Sequence, residues 1–332
     1  MRFASLLSAL VLGLGLAGFA NAKEEPIAQS TQLDHILLWG RSIDQVSGIM
    51  AVKLGFQVLP GRDPHGVANR FVRMPDRSYM ELLGITRAKP ELDPGMDADQ
   101  AVLHGGPGSR MFGLRSPELD QMKAFLQAQG FKPTPMFSAS PTDPDGAGPS
   151  KPPRWRLFAF DSQPLSTSLF VIDYPPDGIK PHPAVDDRVA REHPNTAREV
   201  SAFWLLSANA DENRKQFERL GFAGAVPVRM PQVGAGGFCV PVGSKRIYVL
   251  QPDGAGAAAD ALRSGGPQVF GVSIGVEDLG LAKRRVERGY ETTLASYQGL
   301  LGDSFLAPTG SDLGLLMEFH ALDKAGASCG KG

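Results

Sequence analysis

The chain has 332 residues, with 34 Lys and Arg against 35 Asp and Glu, a formal charge of −1 and no cluster of basic side chains. That balance excludes a nucleic-acid partner held through its phosphates. Its 2 cysteines, Cys239 and Cys329, are too far apart for a zinc site or a redox pair.

The N-terminus reads as a leader. Arg2, an apolar run over residues 6–19 and the small-x-small ending Ala20-Asn21-Ala22 make residues 1–22 a secretory signal peptide. The apolar run is short for a membrane span and no cysteine follows it to carry lipid, so no membrane anchor is expected. The mature protein is expected to be periplasmic or secreted, as a monomer or homodimer. In such a compartment Cys239, inside the apolar strand Phe238-Cys239-Val240, is expected as a buried thiol. A bridge to Cys329 in the tail is the alternative.

About 310 residues remain, which points to two domains rather than one core. Residues 33–38 read as a strand and 42–54 as a helix ending at Gly55-Phe56, with another strand over 78–83. The same order recurs from Met111, with a helix over 118–129 ending at Gly130-Phe131 and strands over 155–161 and 166–174. A third unit runs from Val200 through a helix ending at Gly221-Phe222 to strands over 237–242 and 245–251. A fourth runs from Val269 through a helix ending at Gly289-Tyr290 to strands over 304–307 and 314–320. Glycine after each helix supplies the C-terminal turn, and the aromatic returns to the core. The Pro-, Gly- and Ser-rich stretch 138–153 reads as a surface loop. The boundaries expected are 30–183 for the first pair of units, 184–196 for a linker, 197–322 for the second pair and 323–332 for a tail.

The chemistry concentrates in the first unit. His35 and Glu81 each sit inside an apolar strand, a nitrogen and an oxygen ligand of the kind that bind divalent metals. Alternation puts Leu33, His35 and Leu37 on one face, and Tyr79, Glu81 and Leu83 on one face. If those strands are neighbours, the imidazole and the carboxylate converge. A buried histidine bonded to a buried glutamate, without metal, is the competing reading. His65 and Asn69 flank a tight turn and either line a site or simply close the loop. Arg70 and Arg73 either hold an anionic substrate or face solvent. The glycine runs near residues 234–237 and 254–256 precede no dinucleotide-binding helix, and no Gly-x-Ser-x-Gly elbow appears.

A β-α-β-β-β unit repeated in pairs, with these residues in it, resembles the vicinal oxygen chelate superfamily. Within it the chain is similar to the glyoxalase-like domain family, through Asp34-His35, His65-Gly66-Val67-Ala68-Asn69 and Tyr79-Met80-Glu81-Leu82. Trp155-Arg156-Leu157 and the strand Phe170-Val171-Ile172-Asp173 leading to His182-Pro183 also look like that family. The resemblance implies an α+β fold of four βαβββ units arranged as paired cup-shaped modules. It implies His35 and Glu81 as ligands of a divalent metal (zinc, iron, manganese or nickel), with Glu81 and His65 as catalytic groups. It further implies that His65, Asn69, Arg70, Tyr79, Trp155 and Asp173 contact a small vicinally oxygenated substrate. The expected reaction is a lyase, isomerase or dioxygenase step; the alternative is a binding protein without turnover. Unit two offers Met111 and Phe112 on its first strand and Asp173 as the carboxylate of its last. Aligning Gly55-Phe56 with Gly221-Phe222 places Ser201 opposite His35, so the second half reads as a degenerate, supporting pair. Glu318 would join the site only if units one and four paired.

Overall fold

A computed structural model describes residues 30–63, 66–88, 90, 106–139, 153–174, 189–322 and 329. The first unit comprises β1 (Gln32–Trp39), α1 (Ile43–Gly48) with a π-helical continuation (Ile49–Lys53), β2 (Leu59–Pro60), β3 (Val67–Arg73) and β4 (Tyr79–Ile85). The second comprises β5 (Met111–Arg115), α2 (Leu119–Ala128), β6 (Phe137–Ser138), β7 (Arg156–Phe158) and β8 (Ser168–Asp173). Their strands form one eight-stranded sheet in the order β2-β3-β4-β1-β5-β8-β7-β6.

The second half repeats this plan. It contains β9 (Ala197–Leu206), α3 (Ala210–Arg219), β10 (Val226–Met230), β11 (Ala235–Val242), β12 (Lys245–Pro252) and an added helix α4 (Ala257–Gly265). The last unit follows with β13 (Gln268–Val276), α5 (Leu279–Tyr290), β14 (Ser296–Gly299), β15 (Gly302–Ala307), the short α6 (Gly310–Leu313) and β16 (Leu316–Ala321). The order β10-β11-β12-β9-β13-β16-β15-β14 is that of the first sheet. Units one and two therefore share one sheet and units three and four the other, which removes the alternative pairing of units one and four. The architecture is α+β, two curled mixed sheets with a few helices.

Local signals explain the helices. Ser42 adopts extended backbone and its Oγ accepts from Gln45 N at 3.1 Å, starting α1. Val46, Ile49 and Met50 then bury one face. Gly55, Gly130 and Gly221 take φ of 76, 83 and 93°, the left-handed turn their positions require. The fourth exit differs from expectation. Gly289 lies within α5 and Glu291 carries the left-handed C-cap at φ 51°. Gly289 answers a packing need instead, because a Cβ there would run into the backbone of Lys53.

The helix-bearing faces of both sheets share one continuous core. Ile36, Leu38 and Phe112 of the first half join Val200, Phe203 and Phe319 of the second. These faces lie against each other. On the opposite faces the sheets diverge. The first carries Leu37, Trp39, Leu83, Met111, Phe170 and Ile172, with Trp155 and Tyr174 partly buried beside them. The second is filled by Trp204, Tyr248 and Phe270, with Ala258 and Leu262 of α4 against them. Cys239 belongs to that filling and forms a disulfide with Cys329, with Cα atoms 5.8 Å apart. The free thiol expected for Cys239 is thus corrected: sequence alone does not show that the tail returns to β11.

Candidate active site

A bulge builds the floor of the first cup. β1 and β5 pair Leu33 with Leu114 and Ile36 with Phe112, so Asp34 and His35 together oppose Gly113. The extra residue breaks strict alternation. Leu33 packs into the shared core with Ile36, whereas Leu37 lies on the cup face, correcting the expectation that Leu33 and Leu37 share a side. The same irregularity recurs in the second half, where Ser201 is the extra residue between Ala202 and Val200 on β9.

His35 and Glu81 do converge. The parallel pair β1–β4 aligns His35 with Tyr79 and Leu37 with Glu81, setting His35 and Glu81 diagonally on one face. His35 Nε2 lies 3.5 Å from Glu81 Oε2. Behind the ring, Nδ1 donates to Asp34 Oδ2 at 2.6 Å. Tyr174 OH donates to the same oxygen at 2.7 Å, and Tyr79 OH donates to Tyr174 at 2.9 Å. Asn69 Nδ2 donates to Glu81 Oε1 at 2.9 Å, while its own Oδ1 accepts from Arg62 N. The imidazole stacks on Tyr79 at 4.2 Å between centroids and meets the edge of Phe170 at 5.1 Å.

These contacts set the electrostatics. Burial alone disfavours a charged imidazole, but hydrogen bonds and charge from Asp34 and Glu81 outweigh it and raise the His35 pKa from 6.5 to about 9. Burial and the charge of Asp34 push the phenols of Tyr79 and Tyr174 well above 10.0, so both remain neutral donors.

The donor set fits a divalent cation. One imidazole nitrogen and one carboxylate oxygen face each other, and the far imidazole nitrogen is tied to a carboxylate, as ligating histidines usually are. Between those carboxylates the ring holds a proton that a metal would displace. Among the described residues no group of three His, Cys, Asp or Glu side chains is arranged around an ion. His35 and Glu81 would hold the metal from the protein side.

The other expected residues divide. Asn69 and Tyr79 lie against Glu81 and His35 through the contacts above, and Trp155 lies on the cup's apolar lining. Arg70 alternates with Ala68 and Val72 of the shared core and pairs with Asp44 of α1 at 3.1 Å, on the helix side. Asp173 alternates with Leu169 and Val171 of that core and lies 3.7 Å from Arg156, which pairs with Asp120 of α2. Neither joins His35, because strand parity sends both to the other face. His65 lies outside the described residues. Tyr174 and Asp34 were missed as site groups, although Phe170, Ile172 and Tyr174 alternate onto the cup and so signal the former.

On the second sheet the corresponding face is packed with side chains. Glu318 is fully buried and accepts from Ser273 Oγ at 2.8 Å and Tyr297 OH at 2.7 Å, while Trp204 Nε1 donates to Ser273. Burial raises its pKa. This is an internal network, satisfied by its neighbours.

Comparison with known proteins gives the family and the fold. The model of the glyoxalase-like domain family matches residues 33–221, more than half of the chain, and the protein belongs to that family. No curated protein sequence matches. Among solved structures, a variant of 4-hydroxymandelate synthase from Streptomyces coelicolor superposes with a TM-score of 0.62 at 12% identity, covering 90% of this chain and 95% of that one. A catechol 2,3-dioxygenase gives 0.54 at 15%, covering 90% and 95%, and a hypothetical protein from Staphylococcus aureus gives 0.54 at 12%, covering 88% and 100%. At these identities the likeness is one of fold.

Proposed function

We propose that the first cup binds a small vicinally oxygenated molecule and that His35 and Glu81 hold a divalent metal there for lyase, isomerase or dioxygenase chemistry. The observation that carries this is the line Asp34–His35–Glu81, with a carboxylate at 2.6 Å behind the ring and another at 3.5 Å in front. When bound, such a metal supplies electrophilic activation of a carbonyl or enolate oxygen.

The chain's own side chains do the remaining work. Asp34 fixes the ring and its tautomer. Asn69 occupies Glu81 Oε1 and so leaves Oε2 towards His35. Tyr79 and Tyr174 supply neutral hydroxyls beside the reacting region, while Phe170 and Trp155 give an apolar wall that excludes water. Glu81, as the less enclosed carboxylate, is the group placed to accept a proton from substrate.

A second reading, a binding protein without turnover, is favoured by the absence of polar ligands from Met111 and Phe112 of unit two. Calorimetric titration with catechol as probe, with and without a chelator, separates the two. Binding abolished by chelation supports the metal reading; binding unaffected by it supports the binder.

We also take the chain to be exported, as a monomer or homodimer, after removal of residues 1–22. The disulfide between Cys239 and Cys329 supports an oxidising compartment. A mature N-terminus at Lys23 is the expected sequencing result. Among the described residues no helix is long and apolar enough to cross a membrane.

A further inference from the structure

A cavity of about 180 Å³ lies where the two halves meet, at the ends of the central strands β1 and β5 of one sheet and β9 and β12 of the other. Arg115, Arg77 and Gln32 line it from the first half, and Glu199, Ser244 and Lys245 from the second. Asp34 and Asp76 also reach it, so it sits directly behind the floor of the cup. It is distinct from the cup face that holds Glu81.

The acids around this cavity are already engaged. Lys245 Nζ bridges Asp76 Oδ2 at 2.6 Å and Glu199 Oε2 at 2.5 Å. Asp76 Oδ1 accepts from Ser78 N and Oγ, and Glu199 Oε1 from Ser201 Oγ at 2.6 Å. Asp34 Oδ2 accepts from His35 and Tyr174. The donors are the reverse. Among the described residues the guanidinium groups of Arg115 and Arg77 have no ion pair or hydrogen bond. Gln32 gives its Oε1 to Ser244 N at 3.1 Å, which leaves its amide N–H groups free to donate. Arg115 is half-buried and pairs with Gln32 across β1–β5, so two of the three free donor groups are neighbours.

The φ of Arg77 is 75°, the left-handed region that favours glycine, in the turn where its N–H bonds Met74 O. Arg77 is exposed at the mouth of the cavity, where its guanidinium can reach a bound anion.

We propose that this cavity binds a small organic carboxylate, its oxygens taken by Arg115 and Arg77 and assisted by Gln32. Planar guanidinium forks match a carboxylate in two parallel hydrogen bonds. A volume near 180 Å³ corresponds to roughly six waters, enough for an acid of a few carbons.

Titration calorimetry of the full mature chain with lactate and with succinate tests this, with inorganic phosphate as the comparison. The expected result is saturable binding of at least one carboxylate, weakened about tenfold or more in Arg115→Met. Arg77→Gly should weaken the same binding while its Tm is no lower than that of the unaltered chain, because glycine relieves the left-handed strain. Glu81→Gln should leave it unchanged. Absence of carboxylate binding, equal binding by Arg115→Met, or binding of phosphate alone would overturn the proposal. So would loss of binding in Glu81→Gln, which would move the ligand into the cup, or a lowered Tm in Arg77→Gly, which would make that arginine structural.

Discussion

Asp34 and His35 are neighbours in sequence whose side chains nonetheless meet, with Oδ2 of one 2.6 Å from Nδ1 of the other. In a regular strand they would point to opposite faces. Opposing both to Gly113 turns them into one unit, and Tyr174 closes on the same carboxylate at 2.7 Å. Asp34→Asn is expected to lower the unfolding free energy by about 2–3 kcal/mol, since a buried cation loses its charged partner. Tyr174→Phe should cost about 1 kcal/mol. In urea unfolding the double variant should lose less than the sum, because both changes act on one carboxylate. Strict additivity would show that the two bonds are independent.

Gly289 ties the halves together through the backbone of Lys53. Alanine in a helix normally stabilises relative to glycine by up to about 1 kcal/mol. Here Gly289→Ala is expected to destabilise by about 1–3 kcal/mol, because its methyl would meet main chain rather than a movable side chain. A rise in Tm would show that α5 shifts freely against Lys53.

His193 is a neutral fastener between the linker and the first half. Its Nδ1 accepts from Gln57 N at 2.9 Å and its Nε2–H donates to Arg73 O at 3.0 Å. Burial lowers its pKa from 6.5 to about 4. Between those values the unfolded chain binds the proton and the folded chain does not, so stability falls as pH drops through that window. The loss assigned to His193 is on the order of 3 kcal/mol at pH 4. It should appear as the difference between the native chain and His193→Gln in urea midpoints measured from pH 7 to pH 4. His35, whose pKa is raised, acts in the other window: its contribution is full below 6.5 and is lost as pH rises through about 9. Parallel pH curves for the native chain and His193→Gln would remove the assignment.

The disulfide joins residues separated by 90 positions. Closing a loop of that length stabilises by about 4–5 kcal/mol in the chain-entropy description. Cys329→Ser is expected to lower stability by that order under oxidising conditions and to leave the fully reduced protein nearly unaffected. Equal losses in both states would point to packing of Cys329 rather than to the crosslink.

The repeat was readable because each unit closes a helix with glycine and returns an aromatic, and both signals are local. His35 and Glu81 were readable because each is a polar residue inside an apolar strand. Arg70 and Asp173 show where that reasoning stops. Their strands are correct, but their parity puts them on the helix side, and only the alternation of Phe170, Ile172 and Tyr174 marks the cup side. The bulge at Asp34 depends on pairing with β5, and the Cys239–Cys329 bridge on the path of the tail. Gly289 looked like a helix terminus, yet its constraint comes from a residue more than two hundred positions away. These features are long-range, and a single strand or helix carries no trace of them.

His35 and Glu81 are proposed to hold a metal in the first cup. The decisive measurement is plasma mass spectrometry of the mature, untagged protein after reconstitution with zinc, iron, manganese or nickel, beside folded His35→Ala and Glu81→Ala variants. About one equivalent of a single metal in the native chain, and loss of affinity in each variant by a hundredfold or so, is the expected result. No bound metal in the native chain, or equal loading of all three proteins, would contradict it.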